Sequence, residues 1–354
     1  MLYDVIEWKE DLDVIMNSLP ELDSLIEKSI LITGATGLVC SPIVDLFIHY
    51  NEMHGRKIHI YACSRDYNKI KKRFGKYCER DYFHFVLYYA DQNEFTLQEK
   101  VDFIIHGAGN SSPQSIIKEP VETMLSNIDG LKNLLNYTVL QGVKRILYIS
   151  SSEVYGVLHR SEPLTEKEYG FHDILNVRSS YPIGKMAAET LCSAYAAEYG
   201  ISTVIVRPGH IYGPTALPSD GHIASKWAYD GLKGTDIVMK SDGLQIRSYC
   251  YCLDCASAII KVLLCGKDGH AYNISNPDSI ITVRQYADIL SKACGVKLRI
   301  EAPSEKEKAG FNKMKNSSLD SSRLQGLGWK GYFDAETGIR QMMSILENEH
   351  NNIT

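Results

Sequence analysis

The sequence Tyr181-Pro-Ile-Gly-Lys185 sets a phenol four residues before an ammonium, at the opening of a helical pattern. That spacing puts both groups on one helix face. A nearby cation lowers the cost of ionising a phenol, so Tyr181 is expected to accept a proton well below the ordinary tyrosine pKa of about 10. Such a group can take the proton from an alcohol while a hydride leaves the alcohol carbon. Tyr-x-x-x-Lys pairs occur on many surface helices, so the meaning of this one depends on the elements that position it. A second polar group, Ser151-Ser152-Glu153, precedes it.

The first of those elements is Ser29-Ile-Leu-Ile-Thr33, which reads as a short buried strand. Gly34-Ala-Thr-Gly37-Leu-Val-Cys40 follows at once, then an amphipathic run from Pro42 to Asn51. In a strand–glycine turn–helix unit, bare backbone lets a pyrophosphate approach and the helix N-terminus favours its charge. A plain glycine turn into a helix is the alternative. Strand candidates recur at 29–33, 57–63, 84–88, 102–106, 144–150 and 201–207, each separated by a helix-length segment. That rhythm predicts βαβ units and an α/β fold, a Rossmann-type doubly wound parallel sheet. The segments 209–246 and 268–330 break the rhythm, punctuated by Pro214, Pro218, Pro277 and Pro303. The expected plan is an N-terminal helical extension over 1–28 with a break at Pro20, a dinucleotide-binding domain over 29–208 to which 247–267 returns, and a smaller, discontinuous α/β substrate-binding lobe from 209–246 and 268–354. In a doubly wound sheet the ligand lies beyond the C-terminal strand ends, where these motifs fall.

Composition excludes several classes. A chain of 354 residues with 44% hydrophobic content can bury a large core. A net charge of −5 favours neither nucleic acid nor an anionic membrane surface as a partner. No apolar run reaches the roughly 18 residues of a spanning helix. Met1 to Glu10 carries Asp4, Glu7 and Glu10 in place of the basic start of a signal peptide. Nine scattered cysteines fit reduced thiols in the cytoplasm better than a disulfide framework. Cys250-x-Cys252-x-x-Cys255 has no histidine or second cysteine pair close by to complete a tetrahedral site, so core packing is the expectation and no metal is assigned.

With Thr33 before it, the glycine loop resembles the nucleotide loop of the extended short-chain dehydrogenase/reductases, which end the motif in Gly or Ala where this chain has Cys40. From about residue 29 onwards the chain resembles the NAD-dependent epimerase/dehydratase family, whose members act on nucleotide-diphosphate sugars. Several stretches are most similar to UDP-glucuronate decarboxylases (UDP-xylose synthases). They are Ser111-Ser112-Pro113 with Pro120, Ser152-Glu153-Val-Tyr-Gly156, Arg178 three residues before Tyr181, Pro218-Ser-Asp-Gly221 followed by Ser225, and Gly243-Leu-Gln245-Ile-Arg247. The resemblance implies that Tyr181 removes the proton of the hydroxyl at carbon 4, that Lys185 lowers its pKa and holds the nicotinamide ribose, and that Ser151 binds the same hydroxyl. It places Glu153 near carbons 5 and 6 and Arg247 on the nucleotide or its phosphates, with Ser112, Ser152, Arg178, His210 and His222 also on the substrate side. It implies a nicotinamide cradle of Gly34, Thr36, Gly37, Leu38, Val39, Ser64, Arg65, Asp91, Gln92, Gly107, Ala108, Gly109, Ser150, Pro208, His210 and Ile211, with Tyr181 and Lys185 at its reactive end. Bland readings stand beside these: a solvated Glu153, a surface Arg247, a structural Ser152, a packed His210 and a turn-capping Asp91.

Oxidation at carbon 4 of a glucuronate creates a ketone β to the carboxylate, which then leaves readily as carbon dioxide. The same first step serves 4,6-dehydration and 4-epimerisation, so the Tyr–Lys–Ser set alone does not name the outcome. Three departures matter. The second strand ends Tyr61-Ala-Cys-Ser64-Arg65 without an acid for the NAD ribose, and Arg65 either meets the extra phosphate of NADP or opens the helix 66–74. Ile116 and His222 stand where the decarboxylases carry a tyrosine and an arginine. The stretch Glu305 to Asn316 lacks their acidic-proline-arginine pattern. The alternatives are therefore a 4,6-dehydratase, a 4-epimerase, an NADPH-dependent nucleotide-sugar ketoreductase and, outside the enzymes, a dinucleotide sensor. Leu134, Leu135 and Leu191 lie on helices that pair subunits in such proteins, implying a homodimer through a helix bundle, although they would read the same way in a monomer core.

Overall fold

Six of the strands in the computed structural model, which describes residues 1–92, 94–303 and 314–351, fall where the hydrophobic rhythm put them. They are β1 (Ser29–Thr33), β2 (His59–Ser64), β3 (Phe83–Leu87), β4 (Phe103–His106), β5 (Arg145–Ile149) and β6 (Thr203–Pro208). With Ala271–Ile274 they form a seven-stranded sheet, ordered β3-β2-β1-β4-β5-β6 and then Ala271–Ile274. All its pairings are parallel. The chain runs outward from β1 to β3 and returns to the other side of β1 with β4, so a crevice opens above the β1/β4 boundary.

Helices cover both faces, which is why the central strands are apolar on both sides. On one face α5 (Pro120–Gln141) and α6 (Ser180–Tyr199) pack side by side. Leu134 and Leu135 are fully buried there against Leu31, Ile104 and Ile146. These two leucines face the sheet and so are not available to a partner subunit; the exposed apolar side chains of α5 are Val121, Leu125 and Leu140. On the other face lie α2 (Ser41–His54), α8 (Cys252–Cys265) and α1 (Ile6–Asn17). Residues 1–28 are sewn into this core: Trp8, Leu12 and Ile15 are fully buried, the Trp8 indole donates to Asp45 at 3.0 Å, and the Tyr251 hydroxyl donates to Asp11 at 2.9 Å. Pro20 opens a short 3-10 turn, Pro20–Leu25. Cys250, Cys252 and Cys255 are buried in the same core.

Two boundaries differ from the expected plan. Ala271–Ile274 lies in the stretch assigned to the substrate lobe but pairs with β6 as the edge of the main sheet. Four residues are too few to show a period, so the strand is invisible without its partner. Conversely, Ile246–Tyr251 does not return to the main sheet. It is the centre of a small sheet with His210–Tyr212, Ile280–Thr282 and Asn316–Ser317. A two-stranded ladder, Ile237–Met239 with Leu298–Ile300, completes this lobe with α7 (Ile223–Leu232) and α9 (Val283–Ala293). The Glu305–Asn316 comparison falls almost wholly outside the described residues. Among the described residues no helix is long and apolar enough to cross a membrane.

Candidate active site

The C-terminal ends of β1, β2, β4, β5 and β6 open into a cleft of about 1030 Å³, closed on its far side by residues 217–224 and Tyr249 of the lobe. Every residue expected in the nicotinamide cradle lines it except Gln92, whose backbone carbonyl instead accepts a hydrogen bond from Asn133 at 2.6 Å.

The floor is backbone. Gly34 has φ +70°, a left-handed conformation, and a Cβ there would lie 3.1 Å from the carbonyl of Gly107 and from the amide of Ala108. A Cβ on Gly107 would collide with the Cys40 thiol, so the third position of the glycine motif is filled by sulfur packed against a second glycine. Parallel register sets Thr33 beside His106. The Thr33 hydroxyl accepts from the amides of Gly107 and Ala108, both at 3.1 Å, and donates to His106 Nδ1 at 2.7 Å. That pattern leaves the His106 proton on Nε2. Burial, with the nearby Lys185 charge, lowers His106 to about 3, so the clamp is neutral. Sequence reading gave His106 no role, because its partner lies on another strand.

At the end of the cleft beside β2, where an adenosine is expected, Ser64, Arg65, Lys69 and Asp91 line the wall. Asp66, the nearest acid to β2, instead caps α3 (Tyr67–Phe74) by accepting the Asn68 amide at 2.8 Å. Asp91 lies on the cleft wall after β3.

At the reactive end Tyr181 and Lys185 project from the first turns of α6 and are both buried. Lys185 does not offset the burial of Tyr181. The Lys185 ammonium donates to the Ile149 carbonyl at 2.8 Å and sits 4.7 Å from the Tyr148 ring centre but 5.9 Å from that of Tyr181. Burial lowers it to about 8. Tyr181 is pushed above the ordinary tyrosine range by burial and by the Glu153 charge, while the Ser151 hydroxyl and Arg178 pull the other way. Desolvation of a phenol outweighs a cation that is already committed to a backbone carbonyl. Ser151 caps the short turn Ser152–Tyr155 through the Glu153 amide, 3.2 Å away, which turns its side chain toward Tyr181. The Ser150 hydroxyl beside it is buried with no partner among the described residues.

Charges dominate the side of the cleft expected to take the substrate. Glu153 lines the cleft and is held by both terminal nitrogens of Arg178, at 2.7 and 2.8 Å. Arg178 itself is not on the wall, and it holds a protein carboxylate where a ligand contact was expected. His210 is enclosed; burial, with the charges of Arg247 and His222, lowers it to about 3, and its Nδ1 has no partner among the described residues. Arg247 is only 5% exposed; its guanidinium donates to the Ile246 carbonyl at 2.8 Å and makes no ion pair among the described residues, and burial lowers its pKa against the pull of Tyr249 and Glu153. Arg247 does not line the cleft wall, nor does Ser112, which caps α4 (Pro113–Lys118) by accepting the Ser115 amide at 3.2 Å. Ile116, on the same short helix, is buried. Ser152 lines the cleft at the start of its turn. Asp220, to which the Pro218–Gly221 motif gives no role in the sequence, accepts from His222 Nδ1 at 2.5 Å and from the Ser225 hydroxyl at 3.1 Å.

Residues 30–275 match the profile of the NAD dependent epimerase/dehydratase family. The chain belongs to that family. UDP-glucuronic acid decarboxylase 3 of Arabidopsis thaliana is 29% identical over 327 residues, spanning 90% of this chain and 88% of its own length. Among solved structures, the family fold recurs in dTDP-glucose 4,6-dehydratase from Streptomyces venezuelae with NAD and TYD bound (TM-score 0.76, 22% identity, 91% of this chain and 98% of that one). It recurs also in UDP-glucuronic acid 4-epimerase from Bacillus cereus with UDP-glucuronic acid and NAD (TM-score 0.75, 19% identity, 91% and 99%). Family membership makes the chain an enzyme that modifies nucleotide sugars and disposes of the sensor alternative.

Proposed function

We propose that this enzyme oxidises carbon 4 of a UDP-glucuronate-like sugar, releases the carboxylate as carbon dioxide and re-reduces the ketone. The observation that carries the choice is the bidentate Glu153–Arg178 pair. Dehydration needs an acid at carbon 6 to protonate the departing hydroxyl, and a carboxylate locked in two charge-assisted bonds has no proton to give. The same guanidinium offsets the repulsion that a sugar carboxylate would otherwise meet at Glu153. The decarboxylase name of the Arabidopsis relative supports the same reading.

The glycine floor, the helix N-terminus of α2 and the orphaned Ser150 hydroxyl fit a nicotinamide dinucleotide, with NAD as the cofactor named by the family. When bound, NAD would supply the hydride acceptor, and later the donor, for carbon 4. Lys185 would hold the ribose, Tyr181 would act as base in its ionised form, taking the hydroxyl proton and later restoring it, and Ser151 would orient the oxygen. Arg65 and Lys69 on the wall favour a second reading at one point only, an NADP phosphate in place of the bare ribose. The exposed face of α5 is the proposed subunit contact of a homodimer. Nine free thiols fit the reducing cytoplasm.

Mass spectrometry of the purified protein with UDP-glucuronate, UDP-glucose, dTDP-glucose and CDP-sugars tests the proposal. Conversion of UDP-glucuronate to a UDP-pentose with carbon dioxide is expected. A 4-keto-6-deoxy product, a carbon 4 isomer or stoichiometric NADPH consumption would replace it with a dehydratase, an epimerase or a ketoreductase. Cofactor released in the same run distinguishes NAD from NADP.

A further inference from the structure

Decarboxylation consumes a proton that the Tyr181 cycle does not provide. The bond from carbon 5 to the carboxylate breaks, its electron pair moves toward the carbon 4 carbonyl, and carbon dioxide leaves an enolate. Carbon 5 must then take one proton before the ketone can be reduced. Tyr181 takes one proton from the carbon 4 oxygen and returns it there, so it contributes none in total.

Few groups on the cleft wall can supply it. Both oxygens of Glu153 accept from Arg178. The Lys185 ammonium donates to the Ile149 carbonyl. His210, lowered to about 3 by burial, is neutral. Burial pushes the Cys40 thiol up to about 12. Arg65, Lys69 and Asp91 lie at the adenosine end.

His222 is different. It lines the cleft, its side chain is 43% exposed, and its Nδ1 is bound to Asp220 at 2.5 Å. Asp220 is fixed in turn by the His222 amide at 3.1 Å and the Ser225 hydroxyl at 3.1 Å. No partner is recorded for Nε2 among the described residues, so the second ring nitrogen is left for the cleft. A carboxylate-oriented imidazole with one free nitrogen is an arrangement suited to moving protons. The charged groups that face it are Asp220 and, across the cleft, Glu153; the neutral His210 lies on the neighbouring strand. Burial alone would lower His222, but Asp220 and then Glu153 raise it above the ordinary histidine value.

We propose that His222, oriented by Asp220, is the acid that protonates carbon 5 after carbon dioxide leaves, an assignment that rests on the decarboxylase reading. The Nε2 proton moves to carbon 5, the enolate pair forms the new C–H bond, and the imidazole is recharged from solvent. Asp220 is a positioning residue.

The test is the holoenzyme with UDP-glucuronate in D₂O, following carbon dioxide, reduced cofactor and the face of carbon 5 that carries deuterium. Wild type should deuterate one face. His222→Gln should lower turnover about 10²- to 10⁴-fold, accumulate reduced cofactor toward one equivalent per site, and scramble the deuterium between faces. Asp220→Asn should show the same pattern more weakly, and imidazole should restore turnover to His222→Ala. Unchanged facial selectivity in His222→Gln with no accumulated reduced cofactor overturns the assignment while leaving the decarboxylase reading intact. Absence of carbon dioxide from wild type removes both.

Discussion

The half of the cleft proposed for the dinucleotide has a floor of backbone and neutral groups, with Arg65, Lys69 and Asp91 on its wall, whereas the half proposed for the substrate is built around paired charges. In the first, glycines at 34 and 107 and the uncharged Thr33–His106 clamp shape a surface that a dinucleotide can approach. In the second, Glu153–Arg178 and Asp220–His222 hold their charges against one another, and Arg247 is buried with no ion pair among the described residues. On the decarboxylase reading, a cofactor retained through the cycle calls for shape, and a sugar that loses a charge calls for paired charges. Tyr181 stands at the seam, raised by burial and by Glu153 and eased by Ser151 and Arg178.

The contrast can be broken at three points. Tyr181→Phe removes the proton acceptor and should lower turnover by about 10²- to 10⁴-fold with cofactor still bound, read by steady-state kinetics and cofactor titration. Arg178→Met leaves Glu153 unpaired; loss of charge-assisted bonds of about 1.5–3 kcal/mol should raise the KM for UDP-glucuronate roughly 10- to 100-fold, with cofactor affinity unchanged in a fluorescence titration. Gly34→Ala should do the reverse. A left-handed non-glycine residue costs about 1–2 kcal/mol, and calorimetry should show cofactor binding weakened about tenfold. If Arg178→Met weakened the cofactor as much as Gly34→Ala, the two halves would not be separable.

The smallest effect is a control outside the cleft. Asp11, hydrogen-bonded to Tyr251 and Gln341, is raised by burial to about 6. Its folded pKa lies above the unfolded value, so the folded state binds more protons and stability falls as pH rises from about 4 through 6. Asp11→Asn should therefore gain about 1 kcal/mol above pH 7 and nothing below pH 4, seen as a pH-dependent difference in melting temperature.

The cofactor half was readable in the sequence because its determinants are local. Gly34 follows its strand directly and Tyr181 is one helical turn from Lys185, so spacing alone places them. The direction of the Tyr181 pKa was not readable, since it depends on how deeply α6 is buried and on where the Lys185 ammonium finds an acceptor. The edge strand Ala271–Ile274 was hidden for a similar reason: only β6 makes it a strand.

By itself, then, the sequence determined the parallel sheet, the glycine floor and the Tyr–Lys pair, all set by short-range pattern. Tertiary structure decided which charges meet. Glu153 and Arg178 are brought together by the turn after β5 and the loop entering α6, and Cys40, at the start of α2, meets Gly107 at the end of β4. Pairing energies and burial depend on distances between segments remote in the chain, and one-dimensional spacing carries no record of them.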